Sequence, residues 1–235
     1  MPPLLPSLAQ ALRDAFAPGQ RRALVISILA AIAIFLGLHF GVAWGIETYR
    51  PESYPWLRWP LQILGDSAVA VIAWVLFPSI STTILSFFLD AVLERLERQH
   101  YPRLPPPHQV PISAVLLSGL RLIGLTVGLN LLALPVYLLI PAINIFLFYL
   151  LNGYLLSREY FDLVAMRRLD GIAARKLWSS RRGRWLLAGV AIALLLSVPI
   201  VNLAAPLVAA ALMLHLVTGA SGLAAGAAPA GTKTG

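Results

Sequence analysis

The stretch AFAPGQRRALVISIL, residues 15–29, places Pro18 and Gly19 beside the arginine pair Arg21 and Arg22, with no acid nearer than Asp14. Glycine lets a ligand approach the backbone, the start of a long helix presents free N–H groups, and two guanidiniums add fixed positive charge. Together these features suit an oxyanion. The same arginines also suit a plainer role as an anchor, with aliphatic stems lying along apolar chain and charged heads held at lipid headgroups. Spacing alone favours the anchor.

Other polar residues lie inside or beside apolar sequence. Asp66 falls near the start of a long apolar run, where an interfacial position is the plain reading and a pore charge the alternative. Arg121 either lines a polar cavity, paired with an acid, or snorkels to the interface. Asn144 and Asn202 each follow a proline by three residues and read as turn-formers that satisfy backbone, with pore lining the minority reading. Arg158 and Glu159 belong to a charge network, and Arg158 can pair with Asp162 at i,i+4. The four histidines, His39, His100, His108 and His215, show no ligand spacing. With no nucleotide-binding glycine loop and no nucleophile elbow, nothing points to an enzyme, a cofactor or a metal. The absence of cysteine excludes disulfides, iron–sulfur clusters and thiolate metal sites.

The elements that must position these residues follow from composition. Only 12% of the 235 residues are charged and 59% are hydrophobic, with a mean hydropathy of +0.80. Such a chain cannot cover a water-facing surface, so an integral membrane protein is expected, helical throughout and forming a single unit over residues 1–218. Residues 24–46 carry no charge and reach about 34 Å, enough to cross a hydrocarbon core of about 30 Å. The run is too long for a signal peptide's apolar stretch and lacks a small-residue cleavage site, so it reads as uncleaved. Tyr49, Tyr54, Trp56 and Trp59 then mark an interfacial belt. A second span, residues 61–89, leads into the charged helix DAVLERLERQ, whose charges read as a solvated face or a contact between subunits.

Two later apolar regions are broken by similar motifs, IPAIN at 140–144 and VPIVN at 198–202. Proline ends a helix by lacking an N–H, so each motif predicts a helix–turn–helix hairpin. In the second, the arms 186–198 and 203–217 reach only about 20–23 Å, short for a crossing. Two full spans with two partly inserted hairpins is the preferred reading, and six full spans the alternative. Residues 157–184 hold eight Lys and Arg against three acids. With Tyr160, Leu163, Val164 and Leu169 as an apolar stripe, an amphipathic helix on the membrane surface is expected. The Gly/Ala-rich tail, residues 219–235, reads as disordered.

In either topology every Lys and Arg except Arg50 and Arg58 falls on one side. That side is expected to be cytoplasmic, with both termini there. Half-length hairpins would need several subunits to enclose a pore, so a homo-oligomer is expected. The basic segment offers a surface for anionic membrane lipids. No nucleic-acid partner is expected.

Three stretches, PGQRRALVISILA (18–30), IPAINIFLFYLLNGYLLSREYFD (140–162) and VPIVNLAAPLVAAALMLHLV (198–217), together resemble the CysZ family of bacterial sulfate permeases, within the wider etoposide-induced-protein-like family. The likeness covers most of residues 10–217. It implies a bacterial inner-membrane protein with two long spans and two partly inserted hairpins. It also implies oligomeric assembly and sulfate uptake for cysteine synthesis. In that family the turn before the first span binds sulfate, which corresponds here to Gly19, Gln20, Arg21 and Arg22. The resemblance thus reverses the preference for a bare anchor. Two positions depart from the family pattern: Leu163 and Val164 follow Asp162 where a proline is usual, and FFLDAVLERLE replaces a Pro-Phe-Asn-like element. A related branch with another substrate is the alternative, and a non-transporting membrane scaffold the rival.

Overall fold

The computed structural model describes residues 2–48, 80–81, 83–85, 87–104, 106–107 and 112–222. Asp66, the aromatic belt and most of the expected second span lie outside them. The described regular structure is helical.

Helix α1 (Leu4–Ala15) turns Ser7, Ala11, Asp14 and Ala15 inward, a spacing that repeats on one helical face. Pro18 opens α2 (Pro18–Thr48), where its missing N–H removes no helical bond. Helix α3 comprises residues 87–100 and buries Leu89, Val92, Leu93 and Leu96. Helix α4 (Ile112–Leu139) carries Pro135 inside it. Within α2 and α4, the segments Pro18–Gly41 and Leu116–Leu139, 24 residues each, are apolar enough to cross a membrane, and each reaches about 36 Å. Their apolar side chains face outward, among them Leu29, Leu120, Leu131 and Leu132. Water would not tolerate an apolar surface so extended; lipid would. Helix α4, expected as the incoming arm of a hairpin, is therefore long enough to be a span itself.

At Pro141 the chain enters a 3-10 turn (Pro141–Ile143) and then α5 (Asn144–Ala165). Proline at 141 cannot donate to the carbonyl four residues back, at Tyr137. The Asn144 side-chain amide donates to that carbonyl instead, at 3.1 Å, which is the turn-forming role expected of it. The second motif folds alike: α7 (Arg182–Leu196) leads through the short α8 (Pro199–Asn202) into α9 (Ala205–Ser221).

The basic segment between these units departs from expectation. Helix α5 runs to Ala165, the chain breaks at 166–170, and α6 (Gly171–Ser180) starts anew, capped by the Asp170 carboxylate, which accepts from the N–H groups of Ile172 and Ala173. Tyr160 and Val164 are buried in the protein core, and Leu163 and Leu169 pack against it. The apolar stripe therefore serves intramolecular packing, and no single surface helix spans 157–184. Helix α9 is buried on every face from Ala205 to Thr218, the placement in protein that an all-round apolar helix finds when lipid does not cover it. It continues past residue 218 to Ser221 and ends at Gly222, whose φ of 75° is the left-handed cap glycine adopts without strain. Residues 219–222, read from sequence as the start of the tail, thus belong to this helix and its cap; residues 223–235 lie outside the described part.

Helices α5 and α7 approach closely at two glycines. A methyl group at Gly153 would lie 2.6 Å from Val190 Cγ2, and one at Gly189 would lie 2.6 Å from Ser157 Cβ. Around this crossing Phe161 meets Trp178 and Trp185 edge-on at 5.0 and 4.9 Å, with the two indoles stacked at 7°. These rings lock α6 onto α5 and α7 and fix one wall of a cavity.

The charges of α3 are not all solvated. Glu97 is buried, 2% exposed, and lies 2.6 Å from Arg168 and 3.3 Å from Arg167. Arg167 also reaches Asp90 at 2.7 Å. Arg98 and Glu94, 3.4 Å apart, form an exposed pair, in keeping with the solvated face expected of this helix.

Candidate functional site

The turn ahead of α2 is built from its backbone outward. The Asp14 carbonyl accepts from Ala17 N–H at 3.1 Å, and the Ala17 carbonyl accepts from the N–H groups of Gln20 and Arg21 at 3.0 and 3.1 Å. Those two amides are therefore already engaged, which leaves the Gly19 N–H and the side chains as the donors this turn can offer. Arg21 folds back so that its Nε donates to the Phe16 carbonyl at 2.7 Å. Arg22 is exposed. From α3, Arg95 donates to the Gly19 carbonyl, and its side chain lies where a Cβ at 19 would be, 3.0 Å from the Arg95 Cδ. Glycine at 19 thus lets the guanidinium reach the carbonyl without the side chain having to shift. Gln20 is 1% exposed, and its side-chain nitrogen has no partner among the described residues. Among the described residues, none of Arg21, Arg22 and Arg95 pairs with a carboxylate. Arg95 is the member that sequence spacing did not reveal, since it arrives from a helix 76 positions away.

A second concentration of charge lies in a cavity of about 840 Å³ between α4, α5, α6 and α7. Arg121, Arg158, Arg175, Lys176 and Arg182 line it, and Asp162 is the acid in the lining. Arg158 is 2.9 Å from Asp162, the i,i+4 pair expected, and its guanidinium stands 4.9 Å over the Trp178 ring. Charge pairing and the ring together hold that side chain in place. Arg121 also acts electrostatically on the Asp162 carboxyl, whereas among the described residues Arg175, Lys176 and Arg182 have no acidic partner. A cavity with that excess of fixed positive charge favours an anion inside it.

The residues singled out in the sequence thus divide. Arg121 and Arg158 come together at the cavity, whereas Glu159 is exposed and outside its lining. Gly19, Gln20, Arg21 and Arg22 share the turn with Arg95. Asn144 supports the end of α4, and Asn202 sits partly exposed at the end of α8, away from the cavity lining. The cations of α6 and α7 were legible only as a basic segment, because their convergence depends on how those helices pack.

A third polar cluster had no sequence signal. His100 Nε2 lies 3.0 Å from Asp14 Oδ1, and His215 Nε2 lies 2.8 Å from Asp14 Oδ2. The separations along the chain, 86 and 201 residues, hide it from any spacing rule. The Tyr101 hydroxyl is 2.9 Å from His215 Nδ1. Burial, with the Asp14 carboxylate adding to it, raises the phenol of Tyr101 above its ordinary pKa, so it stays a neutral donor or acceptor.

Comparison with known proteins gives one family: the model described as Sulfate transporter CysZ/Etoposide-induced protein 2.4 matches residues 7–206. No curated protein matches the chain.

Proposed function

This chain belongs to the sulfate transporter CysZ/etoposide-induced protein 2.4 family, a transporter-type family and not an enzyme family, and from that premise we propose that it is a permease for sulfate or a similar oxyanion. The observation that carries the reading is the head of the first apolar helix. There Arg21, Arg22 and Arg95 stand without carboxylate partners among the described residues, next to the unpartnered amide nitrogen of Gln20. Gly19, Gln20, Arg21 and Arg22 capture the anion, through side chains more than through backbone, and Arg95 completes the set. The arginine- and lysine-lined cavity offers the anion a second stop. Both sites hold it weakly, because an anion bound tightly would not leave.

The protein sits in a bacterial inner membrane with its basic side and both termini cytoplasmic, supplying sulfur for cysteine synthesis. The outward apolar faces of α2 and α4 contact lipid and neighbouring copies in a homo-oligomer that encloses the path.

Radiolabelled sulfate flux into proteoliposomes tests the function. Uptake well above that of empty vesicles is expected; uptake equal to theirs would establish a non-transporting scaffold instead. The capture site has a narrower test. Arg21→Ala/Arg22→Ala should weaken sulfate binding by about ten-fold or more, as expected when charge-assisted contacts worth about 1.5–3 kcal/mol each are lost. Unchanged affinity would remove the turn from the mechanism.

The hairpin arrangement is tested in the same cysteine-free background. Cysteine introduced at Ile143 or Val201 should resist a membrane-impermeant thiol reagent applied from the periplasmic side. Ready labelling at both would indicate full spans.

A further inference from the structure

The side chains of Asp14, His100 and His215 lie outside the cation-lined cavity, and the construction of this cluster points elsewhere. Asp14 is buried, 6% exposed, and among the described residues no lysine or arginine pairs with it. Buried carboxylates are ordinarily paired with a cation or bound to a metal. What faces Asp14 instead is two imidazoles from two other helices, each presenting Nε2 to one carboxylate oxygen, at 3.0 and 2.8 Å. The rings meet edge-on with centroids 5.2 Å apart, and the potential ligand atoms lie within 4.8 Å of one another.

The outer nitrogens are held as well. His215 Nδ1 is 2.9 Å from the Tyr101 hydroxyl, and His100 Nδ1 is 3.4 Å from the Gln10 side-chain nitrogen. Outer contacts of this kind orient imidazole ligands and fix which nitrogen faces inward. We propose that Asp14, His100 and His215 form a binding site for one divalent transition-metal ion of the zinc class. Two neutral imidazoles and one carboxylate are a donor set that zinc accepts, with a fourth position left for water. The ion would neutralise the buried carboxylate and tie α1 to α3 and α9. Because the Asp14 carbonyl begins the hydrogen-bonded turn that continues through Ala17 to Gln20 and Arg21, the same ion would brace the head of α2. The site stands whether or not that turn binds sulfate.

The test uses the full chain without a polyhistidine tag, purified in detergent, stripped with chelator and dialysed against micromolar Zn²⁺. Metal analysis should give one equivalent per chain, and Co²⁺ should bind with the visible absorption of a four- or five-coordinate ion. Zn²⁺ should raise the melting temperature of the wild type and leave that of Asp14→Asn and His215→Ala unchanged. Tyr101→Phe should retain the site with affinity about ten- to a hundred-fold weaker, the usual effect of losing an outer partner. If His215→Ala does not fold, His100→Ala replaces it, since that side chain is 22% exposed. Less than a tenth of an equivalent in folded wild type would overturn the proposal and leave a hydrogen-bonded latch. A full equivalent retained in both Asp14→Asn and His100→Ala would overturn it by placing the metal elsewhere.

Discussion

Glu97→Ala should lower the melting temperature of the purified protein by about 10 °C, the shift expected for a loss of about 3–5 kcal/mol in a chain of this size. The Glu97 side chain is 3% exposed and faces Arg167 and Arg168, themselves only 14% and 9% exposed. Removing the carboxylate would leave two sheltered guanidiniums with little to answer them. Asp90 cannot substitute, since its side chain is 78% exposed and reaches only Arg167. Two nitrogens of Arg168 are already without partners among the described residues, so Glu97 is its principal compensation. The effect should extend to function, because α3 also delivers Arg95 to the Gly19 carbonyl. A fluorescence melt in detergent checks the stability, and a shift below 2 °C would show that water compensates the two arginines. The exposed pair makes the control: Glu94→Ala, facing Arg98 across 3.4 Å, should change little, as surface pairs do.

Gly189→Val should be comparably damaging, through sterics and not charge. Even a Cβ at this position would lie 2.8 Å from the Gly153 carbonyl carbon and 2.6 Å from Ser157 Cβ. Much of that obstacle is the backbone of α5, which no rotamer change relieves. The two helices must part, and overpacking of a tight core costs about 1–3 kcal/mol or more. Their separation would disturb Phe161, Trp178 and Trp185 together and move Arg158 relative to Arg182, which line the same cavity. Gly183→Ala is the internal comparison, with nothing within 4 Å of the added methyl; it should be neutral. Detergent melts of the two variants side by side decide the matter, and equal stability would mean the close contact is not needed.

The parts of this fold legible in sequence are those governed by neighbours along the chain. Proline at 141 and 199 removes a helical donor and opens the next helix, so the two Pro-x-x-Asn turns were readable. So was the partnership of Arg158 with Asp162, which needs only a helix to form. The amphipathic stripe in 157–169 was readable too, but its destination was not. An apolar face says that something covers it, and the sequence does not say whether lipid or protein does. Tyr160 and Val164 are covered by protein.

The turn at Gly19 shows the same division within one site. Its arginines, its glycine and its place before an apolar helix are written in consecutive residues. That the backbone amides of Gln20 and Arg21 are already bonded to Ala17, and that Arg95 supplies a further guanidinium, follows from how α1 and α3 pack.

By itself the sequence determined a helical chain too apolar for water, the positions of its breaks, and an excess of positive charge beside its apolar segments. These follow from composition, proline geometry and helical periodicity, which act over a few residues. Tertiary structure alone decided that Glu97 is buried against two arginines, that Gly153 and Gly189 meet, that five cations share one cavity, and that Asp14 faces His100 and His215. Each of these joins residues from helices distant in the chain, and only the packing of those helices sets which faces meet.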